Sequence, residues 1–147
     1  MPTATIKIFL TEGDAKRLRT AELSNWTGKA VAGPRSDIDK VVNRDEAQSS
    51  GVYFLTGDDP ETGRPAIYIG EAESVKDRIK QHLSKDFWNN VAFFVSKDEN
   101  LTKAHIRYLE GRLIDIARIR SRRYGNISRK DVADSANLGC RGFCWYG

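Results

Sequence analysis

The sequence predicts a single α+β domain, and three observations predict it. From residue 51 onward the hydrophobic patterning runs strand, strand, helix, strand, helix. The first two strands form a hairpin, "GVYFLTGDDPETGRPAIYIG", with a glycine at each outer end and ten residues of turn chemistry between its arms. The chain has 147 residues, 39% hydrophobic and 30% charged, which suits one domain large enough to bury its own core.

The elements follow in chain order. "TIKIFL" (Thr5–Leu10) alternates as a strand does. "GDAKRLR" reads as a loop, and "TAELSNW" and "GKAVAG" read as two further strands split near Thr27 and Gly28. "SDIDKVVNRDEA" reads as a short helix capped by Ser36. After the hairpin, "SVKDRIKQHLSK" (Ser74–Lys85) reads as a helix with Ser74 at its N-cap and Asp77 three residues on. "NVAFFV" (Asn90–Val95) is a strand, and Leu101–Arg123 is a long helix. The tail after Gly125 is polar with aromatic residues near its end, and its sequence assigns no element. No internal repeat interrupts this order.

Three polar placements stand out against these elements. In the hairpin, Tyr53 and Tyr68 occupy matching places in the two arms. A symmetric closure over Thr56–Pro65 would put them directly opposite, with Cβ atoms roughly 5 Å apart. A slip of two residues would keep both rings on one face, and a slip of one would part them. On the next helix, Val75, Ile79 and Leu83 form an apolar stripe that also carries Arg78 and His82. On the long helix, Ile106, Glu110, Leu113 and Ala117 share a face, so a carboxylate stands inside an apolar stripe. Gly111 beside it costs about 1 kcal/mol of helix stability against alanine, which points to close packing or close approach of a ligand. Each placement by itself is also what a stabilising aromatic pair or a core-edge ion pair would give.

Charge and cysteine content narrow the classes. The net charge is +4, and seven basic residues between Arg112 and Lys130 meet Asp115 as their only acid. Such a block suits a polyanionic partner or the C-terminal end of a helix. With two cysteines, Cys140 and Cys144, and only two histidines, a closed four-ligand zinc site is not expected without a partner chain. No run of about 18 apolar residues suggests a membrane span, and "MPTATIKIFL" lacks signal-peptide character, so a cytoplasmic location is expected.

Taken together, "GVY" at 51–53, "YIG" at 68–70, Arg78, His82 and the helical Glu110 resemble the GIY-YIG nuclease superfamily over about residues 51–126. "YIGEAESVKDRIKQH" with "IRYLEGRLIDIA" is similar to a bacterial subgroup of small, mostly uncharacterised GIY-YIG proteins, and "LRTAELSNWTGKAV" resembles that subgroup's N-terminal extension. The resemblance implies a small central antiparallel sheet flanked by helices, with residues 1–50 as a β-rich extension packed on the same domain and residues 127–147 as a tail. It implies metal-dependent cleavage of DNA phosphodiester bonds, in repair, restriction or another pathway. Tyr53 and Tyr68 then stand as the paired phenols, Arg78 as the phosphate-binding arginine, Glu110 as the carboxylate for one Mg²⁺ or Mn²⁺, and His82 as the residue assisting a phenol. Asn126 is the candidate for the family asparagine. Valine replaces isoleucine in the first motif, and Glu71 follows "YIG" where many members carry lysine or another polar residue.

The chemistry so implied has Tyr53 as general base and Tyr68 as its hydrogen-bonding or water-positioning partner, or the two in reversed roles, with Arg78 on the scissile phosphate. Arg112, Arg118, Arg122 and Arg123 would line a DNA track and supply salt-dependent affinity. No organic cofactor is implied. The alternative is a catalytically silent nucleic-acid-binding module of the same fold. The first 50 residues would shape substrate choice or pair two copies into a homodimer.

Overall fold

The computed structural model describes residues 3–98, 102–123 and 143–146. Its strands are β1 (Ile6–Leu10), β2 (Arg19–Leu23), β3 (Gly28–Pro34), β4 (Gly51–Asp58), β5 (Pro65–Ala72), β6 (Trp88–Ser96) and β7 (Phe143–Tyr146). Its α-helices are α1 (Ile38–Val42), α2 (Val75–Gln81) and α3 (Lys103–Arg123). The strands form one antiparallel sheet in the order β1-β2-β3-β6-β4-β5-β7. The α+β class expected from the sequence is therefore present. Because β3 pairs with β6, the strands before residue 50 and those after it share one sheet.

Alternation of side chains gives the sheet two faces. One face carries Val31, Val91, Phe93, Tyr53, Leu55 and Tyr68, and α1 and α2 cover it through Val41, Val75 and Ile79. The other carries Val52, Phe54, Ile67 and Ile69 on β4 and β5, and α3 covers these through Ile106 and Ile114. Among the described residues no helix is long and apolar enough to cross a membrane.

Several expectations are corrected in detail. The helix expected over 36–47 is a 3₁₀ turn (Arg35–Asp37), the five-residue α1 and a second 3₁₀ turn (Asp45–Gln48). Ser36 does not cap it; Asp37 stands at the N-cap, and its buried carboxylate accepts two hydrogen bonds from Arg17, at 2.6 and 2.7 Å. The helix expected over 74–85 stops at Gln81, with Ser74 accepting from the Asp77 N–H as predicted. Leu83 consequently leaves the apolar stripe and is 39% exposed. The tail supplies β7, which lies along β5.

The hairpin register is also corrected. Asp58 pairs with Pro65 and Tyr53 with Gly70, so the arms are shifted by two residues from symmetric closure over ten. The turn chemistry explains the shift. Asp59 is buried, and its side chain accepts from the Glu61 N–H at 3.1 Å and the Thr62 hydroxyl at 2.8 Å. Its backbone bonds Arg64 and Gly63, both at 2.7 Å, with Gly63 at φ 66°. That six-residue loop lets the strands run to Asp58 and Pro65.

Candidate functional site

Tyr53 pairs with Gly70 and Tyr68 with Leu55, so both phenols leave the same face on a diagonal. Their ring centroids are 5.8 Å apart and tilted by 31°. The glycine of "YIG" makes this possible. A Cβ on Gly70 would lie 2.7 Å from Tyr53 Cζ and 2.7 Å from its Oη, so the Tyr53 ring occupies the space a side chain would take. The sequence shows the glycine, but its use becomes evident only in the corrected register.

His82 completes this cluster. It sits at the C-cap of α2, where the helix end turns its ring under the sheet. Its Nε2 lies 2.8 Å from Tyr53 Oη, and its ring centroid is 4.6 Å from that of Tyr68. Tyr53, Tyr68 and His82 are 1%, 5% and 3% exposed. Burial first, then the positive charges of Lys85 and Arg78, lower the His82 pKa from 6.5 to about 4. The imidazole is thus neutral at pH 7. Its Nδ1 is buried and has no hydrogen-bond partner among the described residues. The tautomer with its proton on Nδ1 would bury an unpaired N–H; the other donates Nε2–H to Tyr53 and leaves only an unused lone pair. The second is the cheaper.

A supporting shell fixes the segment that carries His82. The Trp88 indole N–H donates to the His82 carbonyl at 2.9 Å. The Arg35 guanidinium stacks 4.4 Å over the Trp88 ring and donates to the carbonyls of Leu83 and Lys85. Sequence reasoning missed Arg35, whose contacts reach about fifty residues along the chain, and Trp88, whose indole bonds a carbonyl six residues back.

Arg78 is half-buried. It lines a cleft of about 670 Å³ at the end of the hairpin, between α2 and the start of α3. Lys103 and Arg107 line the same cleft, as do Glu71, Glu73 and Asp77. Arg78 donates to Gln81 at 3.2 Å, Arg107 pairs with Glu71 at 3.3 Å, and Lys103 pairs with Glu73. Lys103 and Arg107 carried no signal as site residues in the sequence.

Glu110 is 5% exposed, as the apolar stripe predicted. Its stripe on α3 faces Val52 and Ile69, on the side of the sheet opposite to the phenols. The structure therefore brings Tyr53, Tyr68 and His82 together, leaves Arg78 near enough for its charge to act on His82, and places the Glu110 stripe on the other side of the sheet. Gly111 is exposed, and a Cβ there would meet nothing within 4 Å among the described residues, so no close packing with them explains it. Arg112 is exposed on α3. Arg118, Arg122 and Arg123 continue the α3 backbone, but their side chains, like all of Asn126 and Cys140, lie outside the described residues. Cys144 belongs to β7, opposite Tyr68 in register. Among the described residues no three metal-ligating side chains cluster.

No family model matches the chain, and no curated protein or solved structure matches it either.

Proposed function

We propose that the chain is a metal-dependent DNA endonuclease of the GIY-YIG type. The observation that carries this reading is the buried phenol–imidazole cluster, with Tyr53 Oη 2.8 Å from His82 Nε2 and Tyr68 against both rings. Packing would be served more cheaply by phenylalanine and leucine at these places, because each buried polar group must be matched by a partner.

In this reading Tyr53 is the base. A hydrogen bond donated to a phenol oxygen favours its ionised form, and the Nε2–H tautomer of His82 supplies one. Tyr68 positions the attacking water beside it. Arg78 holds the scissile phosphate, bidentate, at the mouth of the cleft. Lys103 and Arg107 extend the contact along the strand. The partner of Lys103, Glu73, is exposed, and such a pair is worth about 0–1 kcal/mol, so a phosphate displaces it at little cost; the partner of Arg107, Glu71, is half-buried. Glu110 would hold the metal. A single buried hard carboxylate fits Mg²⁺ or Mn²⁺, which take most of their ligands from water and phosphate. The bound ion would supply charge shielding for the phosphate and an acidified water.

A second reading, a nucleic-acid-binding module of the same fold without turnover, is favoured by one observation. Glu110 and the phenols lie on opposite faces of the hairpin, whereas cleavage needs both at one phosphate. Supercoiled plasmid separates the two. The purified protein is incubated with Mg²⁺, Mn²⁺ or EDTA, beside Arg78→Ala, Tyr53→Phe and Glu110→Ala. The nuclease reading expects metal-dependent nicking that all three variants lose, with gel-shift binding retained by Glu110→Ala. Binding by the wild type with no cleavage of plasmid, branched or single-stranded DNA would overturn it in favour of the module.

A further inference from the structure

Among the described residues, the face of the sheet that α3 covers is only partly covered. Beyond β4 it continues across β6, β3, β2 and β1, and the register sets Ala92 opposite Ala32 and Ala30 opposite Ala21 in two adjacent rows, with Arg19 beyond Ala32. These alanines make a shallow trough. Phe94, 36% exposed, bounds it on the side of β4, where its ring packs edge-on against Phe54. Ile6, Ile8 and Leu10 bound it on β1, and they are 66%, 61% and 40% exposed. On β1, β2, β3 and β6 this face carries one charged side chain, that of Arg19.

Beside the trough stands a ridge. Leu109 and Ile116 of α3 are 37% and 46% exposed and lie two turns apart on one flank. Arg107, on the opposite flank, reaches Glu71 of β5. At 100° per residue this turns Leu109 and Ile116 toward β4 and β6, the side of the trough.

We propose that this face is a homodimer interface, in which the α3 ridge of each copy seats in the alanine trough of the other about a twofold axis. The occupant is argued from complementarity and size. Ridge and trough lie side by side on one surface, and a twofold axis brings such halves together reciprocally, as an isologous interface requires. A nucleic acid would need a strongly basic face, and among the described side chains this one carries only Arg19 on the strands and Arg112 on the ridge between Leu109 and Ile116. The exposed apolar side chains amount to roughly 600 Å², the upper end of what a monomer shows, and close to the ~800 Å² per partner of a stable interface. This inference does not rest on the nuclease reading.

Sedimentation velocity on the full chain over a concentration series tests it. The variants are Ile8→Glu and Leu109→Glu, with Phe9→Glu as the control on the opposite face of the same strand. All three positions are exposed, and circular dichroism checks that each variant folds. The expected result is a wild-type dimer, dissociation constants weakened by roughly 100-fold or more in Ile8→Glu and Leu109→Glu, and an unchanged dimer in Phe9→Glu. A wild type that stays monomeric at its highest soluble concentration would overturn the proposal. So would a mass that climbs past the dimer, or a Phe9→Glu variant as weak as Ile8→Glu. A monomer that co-sediments with phosphatidylcholine vesicles would assign the face to a lipid surface instead.

Discussion

Replacing Gly70 by alanine tests the geometry of the phenol cluster directly. The added Cβ would sit 2.7 Å from two atoms of the Tyr53 ring and 2.9 Å from a third, where carbon contacts relax at about 3.5 Å or more. The ring is 1% exposed and wedged between Tyr68 and His82, so it has no free space to retreat into. Overpacking a core in this way costs about 1–3 kcal/mol. Moving the ring also parts Oη from His82 Nε2, and stranding a buried polar group adds about 1–3 kcal/mol. Together the substitution should destabilise by about 2–6 kcal/mol, a fall in Tm of roughly 5–20 °C for a chain of this length. Differential scanning calorimetry measures it. Gly111→Ala is the internal comparison, since its Cβ would meet nothing within 4 Å on an exposed helical face. A Gly70→Ala protein melting within about 2 °C of wild type would show that the Tyr53 ring does not lie across Gly70, and the argument for the cluster would fall with it.

Gly111→Ala itself should stabilise by about 1 kcal/mol, read as a Tm rise of a few degrees; a loss of stability would mean the glycine meets a contact outside the described residues. Tyr53→Phe removes the partner of His82 Nε2 and should cost about 1–3 kcal/mol in chemical denaturation, whatever its effect on cleavage. Acid titration of stability should show His82. Its folded pKa lies near 4, below the ordinary 6.5, so the unfolded chain takes up the proton first as pH falls. Stability is therefore whole above pH 6.5 and declines between 6.5 and 4, by on the order of 2 kcal/mol after allowance for solvent screening. His82→Gln should flatten that interval, and an unchanged slope would refute the assignment. Glu46 acts lower: burial pushes its pKa up, but hydrogen bonds from Arg44 and Lys29 outweigh it and hold the pKa at about 2, so its contribution is lost as pH falls from 4.5 toward 2.

What the sequence disclosed and what it concealed divide along the range of the interactions. Strand alternation and helix periodicity are local, and they located β1, β4, β5 and α3 and the inward turn of Glu110. The common face of Tyr53 and Tyr68 also followed, because a two-residue slip preserves parity. The slip itself did not, since it depends on Asp59 folding back on Glu61, Thr62 and Gly63, a cooperative choice among several loop closures. The end of α2 was misplaced for a related reason. The Val75–Ile79–Leu83 spacing continues the helical period past Gln81, but Arg35, from a distant turn, takes the carbonyls of Leu83 and Lys85 and holds that segment outside the helix. β7 had no periodic signal to read, because four residues on a sheet edge owe their conformation to the neighbouring strand.

The separation of Glu110 from the phenols sets a condition on any catalytic account. Val52 and Glu71 share the α3 face, while Tyr53 and Gly70, one residue along each strand, share the other. A carboxylate and a phenol on opposite faces of a two-layer contact cannot touch one phosphate through the sheet. They can meet only at its end, where the cleft of Arg78, Lys103 and Arg107 opens to both α2 and α3. A strand seated in that cleft would have Arg78 on the side of His82 and Arg107 on the side of Glu110. In the nuclease reading substrate must then draw the Tyr53–His82 pair and α3 toward that end. In the binding reading the same cleft grips a phosphate and nothing further moves. The two readings thus differ in whether α3 shifts against β4 and β5 on binding DNA. Amide hydrogen exchange at Val52 and Ile69, beneath α3, would register that shift even with a variant unable to cleave.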